Sequence, residues 1–141
     1  ANVGEPLLPL VQVASGGELS RLMLALKALN AAAEKTPTMI FDEVDTGIGG
    51  AVAEVVARRL KALARNHQII CVTHLPQIAA FADYAYLVTK TTKEGRTMSS
   101  AKRLTRSERE RELARMVGGV KITTEARKLA KEMLDGAQRK S

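Results

Sequence analysis

Thr38-Met-Ile-Phe-Asp-Glu-Val-Asp-Thr-Gly-Ile-Gly-Gly50 is the stretch whose reading decides the fold. Met39, Ile40 and Phe41 form a short apolar run that reads as a strand buried on both faces, as in a parallel sheet. Asp42 and Glu43 follow at once, Asp45 comes next, and a glycine-rich turn then opens a helix. Charges at the end of a buried strand are costly unless something cationic meets them. In open α/β sheets ligands bind outside the carboxyl ends of the strands, where these carboxylates fall. The pattern fits a metal-bound phosphate, and a strand followed by a solvated acidic turn accounts for it too.

Upstream, Ser15-Gly-Gly-Glu18 opens a helix, with Ser15 as N-cap and Glu18 completing a capping box. Leu19, Leu22, Met23, Leu26 and Leu29 follow the helical period to about residue 33, and Pro37 blocks continuation. Residues 1–14, with Pro6 and Pro9, read as an extended leading segment with a short strand at 10–13. Downstream of the acidic turn, Ile48, Val52, Val55, Val56, Leu60 and Leu63 mark a helix from 48 or 49 to 65. Residues 68–73 form a second apolar strand ending in Thr73 and His74, and Pro76 restarts a short helix to about 81. Residues 84–90 and 96–104 read as a β-hairpin turning at 93–95. Ser107-Glu-Arg-Glu110 predicts a capping box for a helix that Gly118-Gly119 ends. Thr123 caps a last helix with Ala126, Leu129, Ala130, Met133 and Leu134 inward and Gly136 as its stop. Helix, strand, helix, strand over 15–73 means parallel strands with crossover helices, so the fold class is α/β.

The 141 residues suit one domain with a core of Leu, Ile, Val, Ala and Met, since aromatics are scarce. No apolar run approaches a membrane span, so no membrane partner is expected, and residues 1–14 lack the pattern of a secretory signal. The single cysteine, Cys71, lies in an apolar run, reads as a small buried hydrophobe, and suits a reducing cytoplasm. Residues 1–89 carry seven Lys/Arg against eight Asp/Glu, whereas 90–141 carry fifteen against seven. The basic excess, all of it in the last third, suits nucleic acid or an acidic partner. A solvated helix pair with basic outer faces explains it equally well.

Three motifs carry chemistry. Three apolar residues followed by Asp-Glu are the Walker B pattern, in which Asp42 would reach Mg²⁺ through its water shell and Glu43 would activate the attacking water. Two glycines straight after a Ser cap are poor helix formers, but they bare backbone N–H groups where the helix dipole attracts an anion. His74, at the end of a strand parallel to the first, could reach the same crevice to meet a phosphate or the water-activating carboxylate. His67 has no such setting.

In that order, Ser-Gly-Gly-Glu, Walker B, an Asp in the turn and a strand-end His resemble the ATP-binding-cassette ATPases. Val-Ala-Ser-Gly-Gly-Glu-Leu-Ser-Arg21, Phe-Asp-Glu-Val-Asp-Thr-Gly-Ile-Gly-Gly50 and Val-Thr-His-Leu-Pro-Gln-Ile-Ala-Ala80 are similar to the RecN family of bacterial, SMC-like DNA repair ATPases, and the likeness extends through Gly119. The resemblance implies roles for Ser15, Gly16, Gly17 and Glu18 as the signature motif, Asp45 as the D-loop acid, Glu43 as general base, His74 as switch histidine and Asp42 at the metal. It also implies ATP and Mg²⁺ as cofactors, head dimerisation, double-strand-break repair, DNA as a partner of the full-length protein, and a nucleoid-associated cytoplasmic setting.

No Gly-x-x-x-x-Gly-Lys-Ser/Thr occurs in the chain, so no P-loop is present. The expectation is that residues 1–141 are the C-terminal lobe of a split head, needing an N-terminal P-loop lobe and inactive alone. By the same logic Asp42, Glu43 and His74 would serve ATP on their own head, and Ser15 to Gly17 the ATP of the opposite one. The rival readings are a non-catalytic DNA-binding module using the basic third, and a head of another SMC or UvrA-like ATPase.

Overall fold

The computed structural model describes residues 15–30, 38–93, 96–119 and 121–139. The expected strand at 10–13, the end of the first helix at 31–33 and the tip of the hairpin at 94–95 lie outside them. The chain divides into two units, Ala1–His74 and Leu75–Ser141.

In the first unit, helix α1 (Gly16–Asn30) precedes strand β1 (Thr38–Phe41), helix α2 (Gly50–Leu63) and strand β2 (Gln68–Cys71). The strands pair in parallel, Thr38 opposite Gln68 and Phe41 opposite Cys71, and Val72 N–H extends the ladder to the Phe41 carbonyl at 2.9 Å. A parallel pair needs a crossover, which α2 supplies.

The strand does not bury both faces as expected. Met39 and Phe41 are buried, but Ile40 is 70% exposed, and Ile70 and Val72 open on the same two-stranded sheet. Side chains alternate along a strand, and among the described residues helices cover one face only. The helix stripes are corrected likewise. On α1 Leu24 is buried, while Leu22, Met23 and Leu26 are exposed. On α2 the buried set is Ala53, Val56, Ala57, Leu60 and Leu63, with Val52 and Val55 outside. Both helices carry apolar residues around more than half their girth, so periodicity alone could not choose the face. The small residues Gly17, Ala53 and Ala57 are all buried.

The second unit holds a short helix α3 (Pro76–Ala79), the antiparallel strands β3 (Tyr86–Lys93) and β4 (Arg96–Arg103), and helices α4 (Arg106–Gly118) and α5 (Thr124–Arg139). Its core joins Ala80, Leu113, Ala114, Ala130, Leu134 and Ala137. The capping box of α4 forms two residues earlier than expected. Thr105 Oγ1 accepts from Glu108 N–H, and the Glu108 carboxylate accepts from Thr105 N–H at 2.9 Å. Both Thr105-x-x-Glu108 and Ser107-x-x-Glu110 satisfy the pattern; the earlier one also ion-pairs Glu108 with Lys102 on β4. Gly119 ends α4 at φ 71, a left-handed conformation suited to glycine. Gly136 does not stop α5, because Ala137 is buried one residue later and holds the last turn in place. Leu129, expected inward, is 45% exposed, since the buried run is Ala126, Ala130, Leu134 and Ala137.

Candidate functional site

The first unit gathers every candidate site residue at the carboxyl ends of β1 and β2. Asp42 directly follows β1, and its Oδ1 accepts the N–H of Glu43 at 2.9 Å. Glu43 has φ 56, a left-handed conformation that costs a residue with a Cβ about 1–2 kcal/mol. The chain then folds tightly, with Thr46 N–H on the Glu43 carbonyl at 3.0 Å and Val44 wholly buried beneath the turn. Asp42 and Glu43 are both exposed.

Asp45 turns the other way. It is only 2% exposed, and its Oδ2 accepts from Thr73 Oγ1 at 2.6 Å and from His74 N–H at 2.8 Å. The imidazole Nδ1 of His74 lies 3.1 Å from the same oxygen. Burial alone would raise the Asp45 carboxyl, but the bonds from Thr73 and the His74 amide, with the nearby imidazole, outweigh it and hold it below the usual carboxylate range. Asp45 therefore ties the turn after β1 to the end of β2 and orients His74. The His74 ring is 72% exposed and leans on Asp45. Between the strand ends, Cys71 is half-buried, and burial with the Asp45 and Asp42 charges pushes its thiol up to about 11. It is a small packing residue with an inert thiol.

The Ser15 capping box forms as expected. Ser15 N–H donates to Glu18 Oε2 at 2.9 Å and Glu18 N–H to Ser15 Oγ at 3.3 Å; the Ser15 backbone bond, and then its side chain, lower the Glu18 carboxyl. The amides of Gly16 and Gly17, in the first turn, have no acceptor within the helix. The glycines also have a second use that the sequence did not disclose. A Cβ on Gly17 would lie 2.9 Å from the Glu43 carbonyl oxygen and from Thr46 Cβ. A Cβ on Gly16 would lie 2.5 Å from Glu43 Oε2. The start of α1 thus rests directly on the acidic turn, with the Glu43 carboxylate against the positive end of the helix dipole. Two more residues that motif reasoning passed over complete this contact. Ser20 Oγ donates to the Asp42 carbonyl at 2.8 Å, and Arg21 Nη1 donates to the carbonyls of Val44 at 3.3 Å and Thr46 at 2.7 Å.

Among the described residues no cluster of three or more His, Cys, Asp or Glu could hold a metal by itself. A lone exposed carboxylate such as Asp42 suits Mg²⁺, which keeps several waters and takes its remaining ligands from phosphates. Asp42 therefore fits as one contact of a metal–nucleotide pair and does not form a standing metal site.

The basic third is less available than its charge suggests. Arg106 pairs with Asp135 at 2.6 Å and bonds Gln138. Arg109 donates to the Ala82 and Asp83 carbonyls, and burial lowers its guanidinium from the ordinary value. Arg115 pairs with Glu112. The open cations include Lys90 and Arg96 on the hairpin and Arg127, Lys128 and Lys131 on α5. No helix among the described residues is long and apolar enough to cross a membrane.

No protein-family model matches the chain. Curated relatives do. The DNA repair protein RecN of Xylella fastidiosa is 49% identical over 137 residues, 97% of this chain and 25% of that protein. RecN of Bacillus subtilis is 45% identical over 136 residues, 96% of this chain and 24% of that protein. RecN of Mycobacterium tuberculosis is 48% identical over 141 residues, 98% of this chain and 24% of that protein. A structure solved in work on ATP-driven dimerization and DNA-stimulated activation of SMC ATPases matches with a TM-score of 0.52 at 19% identity, over 78% of this chain and 65% of that one. At that identity the likeness is one of fold. The sequence is RecN-like throughout and spans about a quarter of the length of these relatives.

Proposed function

We propose that this chain, a relative of RecN over nearly its whole length, is the C-terminal lobe of an SMC-like ATPase head acting in DNA repair and recombination. In the complete protein a P-loop lobe would hold Mg²⁺–ATP against Asp42, Glu43 and His74. The nucleotide would be closed in by Ser15, Gly16 and Gly17 of a second head, so that binding joins two heads and hydrolysis parts them. The observation that supports this reading is that all three motifs lie on the strand-end side of the first unit, the general location of ligand sites in open α/β sheets.

The geometry is compatible with these roles. Glu43 is exposed, leaves the backbone in a fixed left-handed conformation, and can take a proton from an attacking water. Asp42 lies one residue earlier and would meet the metal's water shell. His74 is held by Asp45 with most of its ring in solvent, which suits contact with a terminal phosphate. The Mg²⁺ would supply charge neutralisation on the transferred phosphoryl group.

The test is steady-state ATP turnover by the full-length protein. Glu43→Gln should abolish turnover and leave nucleotide binding intact. The isolated 141-residue chain should not turn over ATP, because the phosphate-cradling loop is absent from it. Turnover by the purified fragment would falsify this reading.

One observation favours DNA contact through the second unit. The hairpin strands carry Lys90, Lys93, Arg96, Lys102 and Arg103 and no acid. Charge reversal at Lys90 and Arg96 tests it better than at Arg106 or Arg109, which hold the fold together. If those reversals set DNA affinity and Glu43→Gln leaves turnover unchanged, the chain is a DNA-binding module without catalytic chemistry.

A further inference from the structure

The acidic turn is held in a shape that it would not take unaided, and the hold comes from α1 of the same chain. Glu43 sits at φ 56. On one side of it the Asp42 carbonyl is fixed by Ser20 Oγ at 2.8 Å. On the other side the carbonyls of Val44 and Thr46 share Arg21 Nη1, at 3.3 and 2.7 Å. Val44 is wholly buried, and Gly17 lets the helix come within a Cβ's width of the Glu43 carbonyl. A residue bonded on both flanks to one rigid helix has its dihedrals set by that helix. Strained conformations persist only where the surroundings over-determine them in this way.

We infer that Ser20 and Arg21 are positioning residues for Glu43. They hold the backbone that aims its carboxylate, and neither touches the nucleotide. Arg21 suits the task because one NH₂ group of a planar guanidinium can give a hydrogen to each of two carbonyls. The same helix begins with Ser15-Gly-Gly-Glu18, so a ligand that shifts the start of α1 shifts the seat of Glu43 only a turn away. Contact at the glycines and readiness of the general base are then coupled within one chain. This inference rests on the ATPase reading above.

The test compares wild type, Glu43→Gln, Arg21→Met, Arg21→Lys and Ser20→Ala in the full-length protein. Steady-state ATP turnover is measured in each, with hydrogen exchange followed at the Thr46 and Ile48 amides, which close the turn. Arg21→Met should lower kcat by roughly tenfold or more, since a misplacement of about 1 Å can cost 10²-fold. The KM for Mg²⁺–ATP should move less than about threefold, because no nucleotide contact is lost. Arg21→Lys should recover part of kcat, its ammonium still reaching both carbonyls, and Ser20→Ala should show a smaller fall. Should Arg21→Met fold poorly, the same kcat-against-KM comparison is read from Arg21→Lys and Ser20→Ala. Unchanged kcat in the variants, or a KM that rises in step with the loss, overturns the inference. If Glu43→Gln is inactive and Arg21→Met is not impaired, the clamp fails and the ATPase reading stands. If Glu43→Gln turns over normally, the ATPase reading fails. The amide exchange then judges the clamp alone, and unaltered exchange in Arg21→Met refutes it.

Discussion

Gly16 and Gly17 are adjacent in sequence, yet adding one methyl group to each should have opposite consequences. At Gly17 the new Cβ would meet the Glu43 carbonyl oxygen at 2.9 Å, Thr46 Cβ at 2.9 Å and the Thr46 carbonyl oxygen at 3.0 Å. Carbon atoms rest at about 3.5–4.0 Å, so the turn or the helix must retreat by roughly half an ångström or more. Two of the three obstacles are backbone, and Val44 anchors that backbone in the core. Overpacking of this kind costs about 1–3 kcal/mol, against a helix-propensity gain of about 0.5–1 kcal/mol for Gly→Ala. The net expectation for Gly17→Ala is a local loss of about 1–2 kcal/mol. At Gly16 the near atoms are Glu43 Oε2 at 2.5 Å and Glu43 Cδ at 3.7 Å, the mobile end of a side chain. Gly16→Ala should therefore leave stability unchanged or slightly raised while turning the carboxylate aside. Hydrogen exchange of the full-length protein separates the cases. In Gly17→Ala, amides of residues 43–48 should exchange about 5–30-fold faster, the factor that 1–2 kcal/mol implies, while Gly16→Ala matches wild type there and loses ATP turnover. Wild-type exchange in Gly17→Ala, with acceleration in Gly16→Ala, would refute the packing argument.

Asp45→Ala should destabilise the first unit by about 1–3 kcal/mol, because the Thr73 hydroxyl and the His74 amide lose their acceptor; exchange at the His74 amide is the check. The Asp45 carboxyl is lowered in the fold, so its contribution is complete above its ordinary value of 3.8 and fades as pH falls through the lowered one. Cys71, with a thiol at about 11, should alkylate about 10²-fold more slowly at pH 8 than an ordinary cysteine, and faster with each pH step toward 11; a rate that levels off near pH 9 contradicts this. Thr105→Ala should cost about 1 kcal/mol at the start of α4, seen as faster exchange in its first turn. Glu108 is lowered to about 2 by Lys102 and then by Thr105, so its share of that cap should persist above pH 4.5 and vanish as pH drops toward 2.

Order and type of the elements were legible because each has a local cause. The Ser15 signal starts its helix and the Gly119 signal ends one, each where the backbone leaves its donors or acceptors unmet, and Pro76 opens α3. Faces and caps were less legible. Ile40 looked internal because a three-residue apolar run does not say how many layers will cover it. The α2 stripe departs from the apolar period because Ala53 and Ala57, apolar but small, lie on the buried face while the larger Val52 and Val55 face out. At Thr105 and Ser107 two overlapping boxes fit equally well, and the choice fell to Lys102, a residue on another element. Propensity alone makes Gly136 a stop, and the burial of Ala137 overrides it.

The site shows the same division on a finer scale. Asp42, Glu43 and His74 could be named because their chemistry is a property of the side chain, and strand ends are where such side chains collect. Ser20 and Arg21 could not, because they act through backbone carbonyls, and a carbonyl has no identity in a sequence. The glycines fall between the two. Their unblocked amides suggest an anion, but their lack of a Cβ is needed just as directly to seat the helix on the turn below. A variant at Gly17 that loses activity therefore does not by itself identify a phosphate contact, since the clash with Glu43 and Thr46 would displace Glu43 on its own. Gly16 is confounded in another way, since a methyl group there spares the backbone but turns the Glu43 carboxylate aside, which costs activity without any phosphate contact.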